Sequence, residues 1–220
     1  MQYTTVPAEK TTGIILAGGR SSRFGPNKSL ALYRQEPLIF HVAKCLETIF
    51  SERLLVTNEP DTFAFLNWPM AGDLYRECGP LAGIHAALKK IKTEQGFVIA
   101  CDMPLLKPEF ISALCNLAGD WEAALPWLPS GPEPLHAVYR KKANDFLENQ
   151  LNRGNYKTVE VIESLRLRTI DLDELTSMGG DLSVFYNINQ KNDLEELETG
   201  NDELRMMNDS NRSPSPLIRR

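Results

Sequence analysis

The feature that most constrains this chain is an alternation. Short apolar runs rich in β-branched residues are each followed by a longer stretch with apolar residues at helical spacing. Gly13-Ile14-Ile15-Leu16-Ala17 is short, apolar, carries two β-branched isoleucines and is followed at once by glycines, the pattern of a buried strand that opens into a loop. Residues 37–50 place Leu38, Val42, Cys45, Leu46 and Ile49 at helical spacing behind a proline, which suits the first turn of a helix. The rhythm repeats: a strand is predicted over 53–57 (RLLVT), a helix over 80–91, a buried strand over 97–101 (FVIAC) and a helix over 108–117. Such an order predicts an α/β fold, a single-domain three-layer α/β/α sandwich on a mostly parallel sheet. Its crossovers are right-handed, and its ligand site lies outside the carboxyl ends of the strands.

Past residue 119 the rhythm changes. Strand-like runs over 121–127 and 135–139 flank the turn-rich Pro129-Ser130-Gly131-Pro132. Helices are expected over 142–151 and 157–164, late strands over 165–172 and 183–188, and a closing acidic helix over 192–198. From Gly200 the sequence loses apolar periodicity and collects Asn, Ser and Pro, so 200–220 reads as a disordered tail behind one domain spanning 1–199. A length of 220 residues suits one large core, and no internal repeat is visible.

Composition narrows the function. No stretch approaches the roughly 18 consecutive apolar residues of a membrane span, and the first residues lack the apolar segment of a secretory signal, so a cytoplasmic protein is expected. Cys45, Cys78, Cys101 and Cys115 form no CxxC pair, which argues against a zinc site or a disulfide framework and predicts free thiols. With 24 Lys and Arg against 29 Asp and Glu, the net charge of −5 disfavours nucleic acid as a partner. A bound phosphate must therefore be held by a local cluster.

That cluster follows the first strand: Leu16-Ala17-Gly18-Gly19-Arg20-Ser21-Ser22-Arg23-Phe24-Gly25-Pro26-Asn27-Lys28. Glycines let backbone N–H groups approach an anion, and Arg23 and Lys28 neutralise charge that the N–H groups leave uncompensated. It is neither common phosphate loop: Gly25 is followed by Pro26, which breaks GxxxxGK[ST], and Gly18 and Gly19 are adjacent, which breaks GxGxxG. The alternative is a solvated basic loop. Asp102 follows FVIAC and so falls at the carboxyl end of a buried strand; a lone carboxylate there suits Mg²⁺, which fills its remaining positions with water and phosphate oxygens. Capping of the strand end competes with that role. A side-chain carbonyl from Asn189, or from Asn187, would complete a metal shell, although capping of the following helix is an equally ordinary use of asparagine.

The loop pattern LAGG-x-S-x-R-x-G-x-x-K resembles the signature of nucleotidyltransferases that move a nucleotidyl group from an NTP to a phosphate-bearing acceptor. Gly79-Pro80-Leu81-Ala82-Gly83, Cys101-Asp102-Met103-Pro104-Leu105 and Asn187-Ile188-Asn189 are most similar to the molybdenum cofactor guanylyltransferases, which join GMP to molybdopterin. The resemblance runs from Gly13 to Glu198, and the segment between Gly119 and Leu182 departs most from the family pattern. It implies a Rossmann-like sheet of the nucleotide-diphospho-sugar transferase type, with an N-terminal NTP-binding part and a C-terminal acceptor-binding part. Lys28, Arg23 and Asp102 would be catalytic, and Mg²⁺ would sit on Asp102 and Asn189. GTP would lie against Leu16, Ala17, Gly18, Gly19, Ser21, Gly25, Lys28, Asn58, Asp73, Gly79, Gly83 and Asp102. A carboxylate at Asp73 would accept from guanine N1–H and N2–H₂, donors that adenine does not present together; an ordinary Asp turn is the competing reading.

His136, in Glu133-Pro134-Leu135-His136-Ala137-Val138-Tyr139, resembles the segment lining the acceptor pocket, and Arg153 and Lys157 around Gly154, with Asn187, are candidates to hold molybdopterin. A solvated charge pair is the alternative for Arg153 and Lys157. His41 and His85 lie among apolar residues and read as packing histidines. Substrate partners would be GTP and molybdopterin or molybdenum-molybdopterin, with transient contacts to molybdopterin-supplying proteins or molybdoenzymes. Two further readings stay open: CTP or another NTP used with a molybdopterin, sugar phosphate or polyol phosphate on the same scaffold, and a GTP-binding module without catalysis.

Overall fold

The computed structural model describes residues 10–18 and 28–198. The tail at 200–220 and most of the glycine-rich loop lie outside the described residues. Strand β1 (Thr11–Leu16) leads, beyond the loop, to a 3-10 turn at Lys28–Leu30 and a small hairpin, β2 (Leu32–Tyr33) and β3 (Glu36–Pro37). Its two turn residues, Arg34 and Gln35, both have positive φ, the geometry that matches the twist of a two-residue hairpin. Then come α1 (Leu38–Ile49), β4 (Glu52–Val56), a 3-10 segment at Pro60–Leu66, β5 (Met70–Ala71), α2 (Pro80–Lys90), β6 (Gln95–Ala100) and α3 (Pro108–Leu117). Pro80 and Pro108 each open a helix, where the missing N–H costs nothing.

The second half holds β7 (Ala123–Leu128), β8 (Gly131–Pro132), β9 (His136–Arg140), α4 (Asn144–Asn152), α5 (Thr158–Glu163), β10 (Leu167–Ile170), α6 (Leu172–Ser177) and α7 (Lys191–Glu198). The main sheet runs β10-β7-β9-β6-β1-β4-β5. Every pairing along it is parallel except those of β9, which is antiparallel to both β6 and β7. One face packs against α1 and α3 through Ile15, Val42, Leu46, Phe97, Phe110 and Leu114; the other packs against α2, α4 and α5 through Ile14, Leu81, Ile84, Val98, Leu147 and Val161. A third cluster, Tyr33, Leu38, Tyr186, Ile188 and Leu197, seats the hairpin and α7. This is the three-layer α/β/α arrangement the alternation predicts. All four cysteines are free thiols, and none of the described helices is long and apolar enough to cross a membrane.

Two late expectations need correction. Residues 183–188 form no strand: Asp181 accepts from the Ser183 N–H at 2.8 Å and starts a 3-10 turn at Leu182–Phe185. Their apolar side chains are buried as expected, but the backbone joins no ladder. The strand expected over 165–172 shortens to β10, because the Asp171 side chain accepts from Glu174 N–H at 2.9 Å and caps α6.

Candidate active site

The parallel strands end side by side. Leu16 is paired with both Val56 and Ala100, and Val56 with Ala71, so Ala17, Gly18, Asn58, Asp73 and Asp102 all follow strand ends on one edge of the sheet. Among the described residues a Cβ placed on Gly18 would meet nothing within 4 Å, so packing against them does not require a glycine there. Gly19, Ser21, Arg23 and Gly25 lie outside the described residues.

Lys28 is the centre of the first group. Its Nζ donates to Asp102 Oδ2 at 2.5 Å and to Asn189 Oδ1 at 2.9 Å, and the Lys28 and Asp102 side chains are only 11% and 10% exposed. The Ile188 N–H donates to the Asp102 carbonyl at 3.0 Å and so docks the 187–189 segment on the end of β6. Asn189 is held in turn by Asp193, whose Oδ2 accepts from the N–H groups of Asn189 at 2.6 Å and Gln190 at 3.0 Å. Asp193 was not among the expected site residues. Its signal was nonetheless present: an acidic residue three positions after Gln190, at the start of an acidic helix, is half of a capping box. Asn187 stays on its own loop, donating to the Phe185 carbonyl at 3.2 Å.

The second group pairs Asn58 with Asp73. Asn58 Nδ2 donates to Asp73 Oδ2 at 3.0 Å, and Asp73 N–H donates back to Asn58 Oδ1 at 2.9 Å. Burial pushes the Asp73 carboxyl above its ordinary range, and the Asn58 amide opposes that rise. Gly79, at φ +69°, forms the turn into α2, where a side chain would be strained. A Cβ on Gly83 would come within 3.3 Å of Leu16 and 3.7 Å of Asp73 Oδ1, so this glycine lets α2 lie close to the end of β1.

Of the four expected acceptor residues, Arg153 and Lys157 flank one turn between α4 and α5, Asn187 lies on the loop before α7, and His136 lies in the core. His136 is fully buried, ringed by Phe97, Phe110 and Phe185 at centroid distances of 5.2–5.4 Å, with no hydrogen-bond partner on either ring nitrogen. Its place at the start of β9, facing the α1–α3 layer, turns it inward, so the expectation of an acceptor contact is corrected to a core position. Burial holds its pKa down at about 3, which keeps the ring neutral. Arg153 ends α4, and exposed Lys157 donates to Glu160 Oε1 at 2.7 Å, the solvated pairing weighed as its alternative. Their turn leans on the loop after Asp73, where Tyr75 Oη donates to Asn152 Oδ1 at 2.7 Å. His85 is buried as expected.

Asp102 and Asn189 offer hard oxygen donors, and Asp102 Oδ1 is buried with no hydrogen-bond partner among the described residues. Among the described residues no group of three or more His, Cys, Asp or Glu can hold a metal. A carboxylate and an amide oxygen fit a hard divalent cation, which takes one or two protein oxygens and completes its shell with water and substrate phosphate.

A Lys–Asp–Asn cluster at the carboxyl ends of such a parallel sheet, directly after a strand that opens into a glycine-rich sequence, is the arrangement of a nucleotidyltransferase. Residues 13–168 match the family described as the MobA-like NTP transferase domain. The chain belongs to that family, and within it to the molybdenum cofactor guanylyltransferases. It is 35% identical over 192 residues to the molybdenum cofactor guanylyltransferase of Desulfosudis oleivorans, covering 86% of this chain and 95% of that protein. The crystal structure of molybdopterin-guanine dinucleotide biosynthesis protein A from Archaeoglobus fulgidus is similar at a TM-score of 0.76 and 28% identity, over 88% of this chain and 100% of that one. Rv0371c of Mycobacterium tuberculosis, solved as a complex with manganese, matches at a TM-score of 0.58 and 16% identity over 77% of this chain and 97% of that one, a likeness of fold alone.

Proposed function

We propose that the protein transfers GMP from GTP to the terminal phosphate of molybdopterin or its molybdenum-loaded form, with release of pyrophosphate. One observation carries the reading: the Lys28–Asp102–Asn189 cluster and the Asn58–Asp73 pair lie along the same strand-end edge. A charge-handling cluster and a carboxylate suited to a purine edge thus lie along one row of strand ends. The acceptor phosphate attacks the α-phosphorus in line, the bond to the β-phosphate oxygen breaks, and pyrophosphate leaves. No protein nucleophile takes part, so the protein acts by alignment and charge neutralisation.

Asp73, its plane fixed by Asn58, accepts from guanine N1–H and N2–H₂. Gly18, Gly19, Ser21 and Gly25 are assigned to the phosphates from their place in the glycine-rich sequence, since glycine lets backbone N–H groups approach an anion. Lys28 and Arg23 meet the charge that develops on the leaving group. A divalent cation held by Asp102 and Asn189 supplies Lewis-acid polarisation of phosphoryl oxygens when bound. Arg153, Lys157 and Asn187 remain the candidates for the acceptor, and we place the reaction in the cytoplasm, with transient contact to molybdopterin-supplying proteins or molybdoenzymes. The test is magnesium-dependent pyrophosphate release with each of the four NTPs, with and without molybdopterin. Release with GTP that requires molybdopterin supports the reading; a preference for CTP would overturn the guanine assignment.

A further inference from the structure

The two oxygens best suited to a divalent cation are both engaged by an ammonium. Lys28 Nζ lies 2.5 Å from Asp102 Oδ2 and 2.9 Å from Asn189 Oδ1, among side chains almost withdrawn from water. Asp102 Oδ1, equally buried, has no hydrogen-bond partner among the described residues. The carboxylate is thus half used, and its used half faces the cationic side chain that is also needed for phosphate. Two like charges a few ångströms apart in a poorly hydrated site repel strongly, so a divalent ion and the Lys28 ammonium do not share this carboxylate at full strength.

We propose that Lys28 is a built-in competitor of the divalent cation. In the nucleotide-free protein it closes the Asp102–Asn189 cation site, and the triphosphate opens that site by drawing the ammonium onto its own oxygens. Metal and nucleotide then enter as a coupled pair. Asp193 keeps the clasp in register by holding the Asn189 backbone at 2.6 Å. This rests on the nucleotidyltransferase reading and adds an order of events to it. One physical benefit follows: without nucleotide, the Asp102 carboxylate is neutralised by a side chain and does not stand as an uncompensated buried charge.

The probe is Mn²⁺ alone, titrated into the full chain without nucleotide and read by electron paramagnetic resonance. Lys28→Met keeps most of the side-chain length and removes the charge; it is expected to bind Mn²⁺ at least about tenfold more tightly than the native protein, the weight of one charged hydrogen bond. Lys28→Met combined with Asp102→Asn is expected to lose that gain. With a non-hydrolysable GTP analogue present, the native protein is expected to recover tight Mn²⁺ binding. A second measurement uses the unmutated chain: Mn²⁺ at concentrations that saturate the native protein is expected to speed amine-reagent labelling of Lys28, followed by mass spectrometry, because the displaced ammonium becomes accessible. Equal Mn²⁺ affinity in native and Lys28→Met proteins, or labelling of Lys28 indifferent to Mn²⁺, overturns the proposal. Pyrophosphate release from GTP in the native enzyme is scored separately, so a failed clasp is distinguishable from a failed nucleotidyltransferase assignment.

Discussion

At Lys28 a single ammonium meets a carboxylate and an amide in a partly desolvated pocket, and its charge is worth most where phosphate charge develops. Lys28→Ala is therefore expected to lower kcat about 10²- to 10³-fold while raising the Kd for GTP far less, as steady-state and binding measurements will show. An unchanged kcat with a raised KM would reduce Lys28 to ground-state binding. In the proposed function Asp73 reads the base. ITP keeps N1–H but lacks the 2-amino group, so a charged hydrogen bond is lost and kcat/KM should fall roughly 10- to 150-fold relative to GTP. Asp73→Asn should narrow that gap, since an amide presents one uncharged acceptor oxygen; equal GTP-to-ITP ratios in both proteins would refute the role. Because burial raises the Asp73 pKa, its ionised form is lost at a higher pH than for an ordinary carboxylate as pH falls. The GTP preference should fade with it, which a pH series of that ratio will test.

At the scale of elements, α7 matters through its first turn. Asp193 is 3% exposed, and it joins the helix start to Asn189, which reaches Lys28 across 161 positions of sequence. Asp193→Ala removes the acceptor for two N–H groups, which by analogy with helix caps costs about 1 kcal/mol of stability, and it frees Asn189 from Lys28. The expected result is a lower melting temperature with a fall in kcat. Asp193→Asn, which keeps one acceptor oxygen, should restore part of both. Loss of stability with kcat intact would leave Asp193 a helix cap only. The contrast with Asp171 is instructive: it caps α6 by the same chemistry but touches none of the candidate site residues.

Over the whole molecule, the most informative charge is one that the fold keeps absent. His136 is neutral in the core with a pKa of about 3, whereas an exposed imidazole titrates near 6.5. The unfolded chain thus binds a proton first as pH falls. The stability contributed by the neutral ring is complete above about pH 6.5 and is lost progressively toward pH 3. His136→Phe, placed among Phe97, Phe110 and Phe185, should weaken the acid dependence of unfolding between pH 6.5 and 4 by up to about 1.4 kcal/mol per pH unit. Denaturant unfolding at pH 7 and at pH 4.5 decides it. Identical pH slopes in the two proteins would show that His136 reaches solvent, and retained turnover in the variant would agree with its place in the core.

The pattern of apolar residues determined a great deal of this. Period and length alone placed β1, β4, β6 and helices α1 to α3, and therefore the edge on which Gly18, Asn58 and Asp102 gather, because the side chains that build a parallel sheet are chosen by strictly local spacing; Asp73 joins them through β5, a two-residue strand too short for any period to announce. The sequence also singled out Lys28 and Asp102, since a cation after paired glycines and an acid after a buried strand have few structural reasons to be there. Polar partnerships were a different matter. That Lys28 reaches Asn189 and that Asp193 holds it depends on how α7 docks, a long-range arrangement that no period encodes. The apolar run at 183–188 has the sequence of a strand because burial is legible there and ladder partners are not. The place of His136 is illegible for the same reason: its neighbours Phe97, Phe110 and Phe185 come from three separate segments, and only their packing around one ring turns a polar side chain into part of the core.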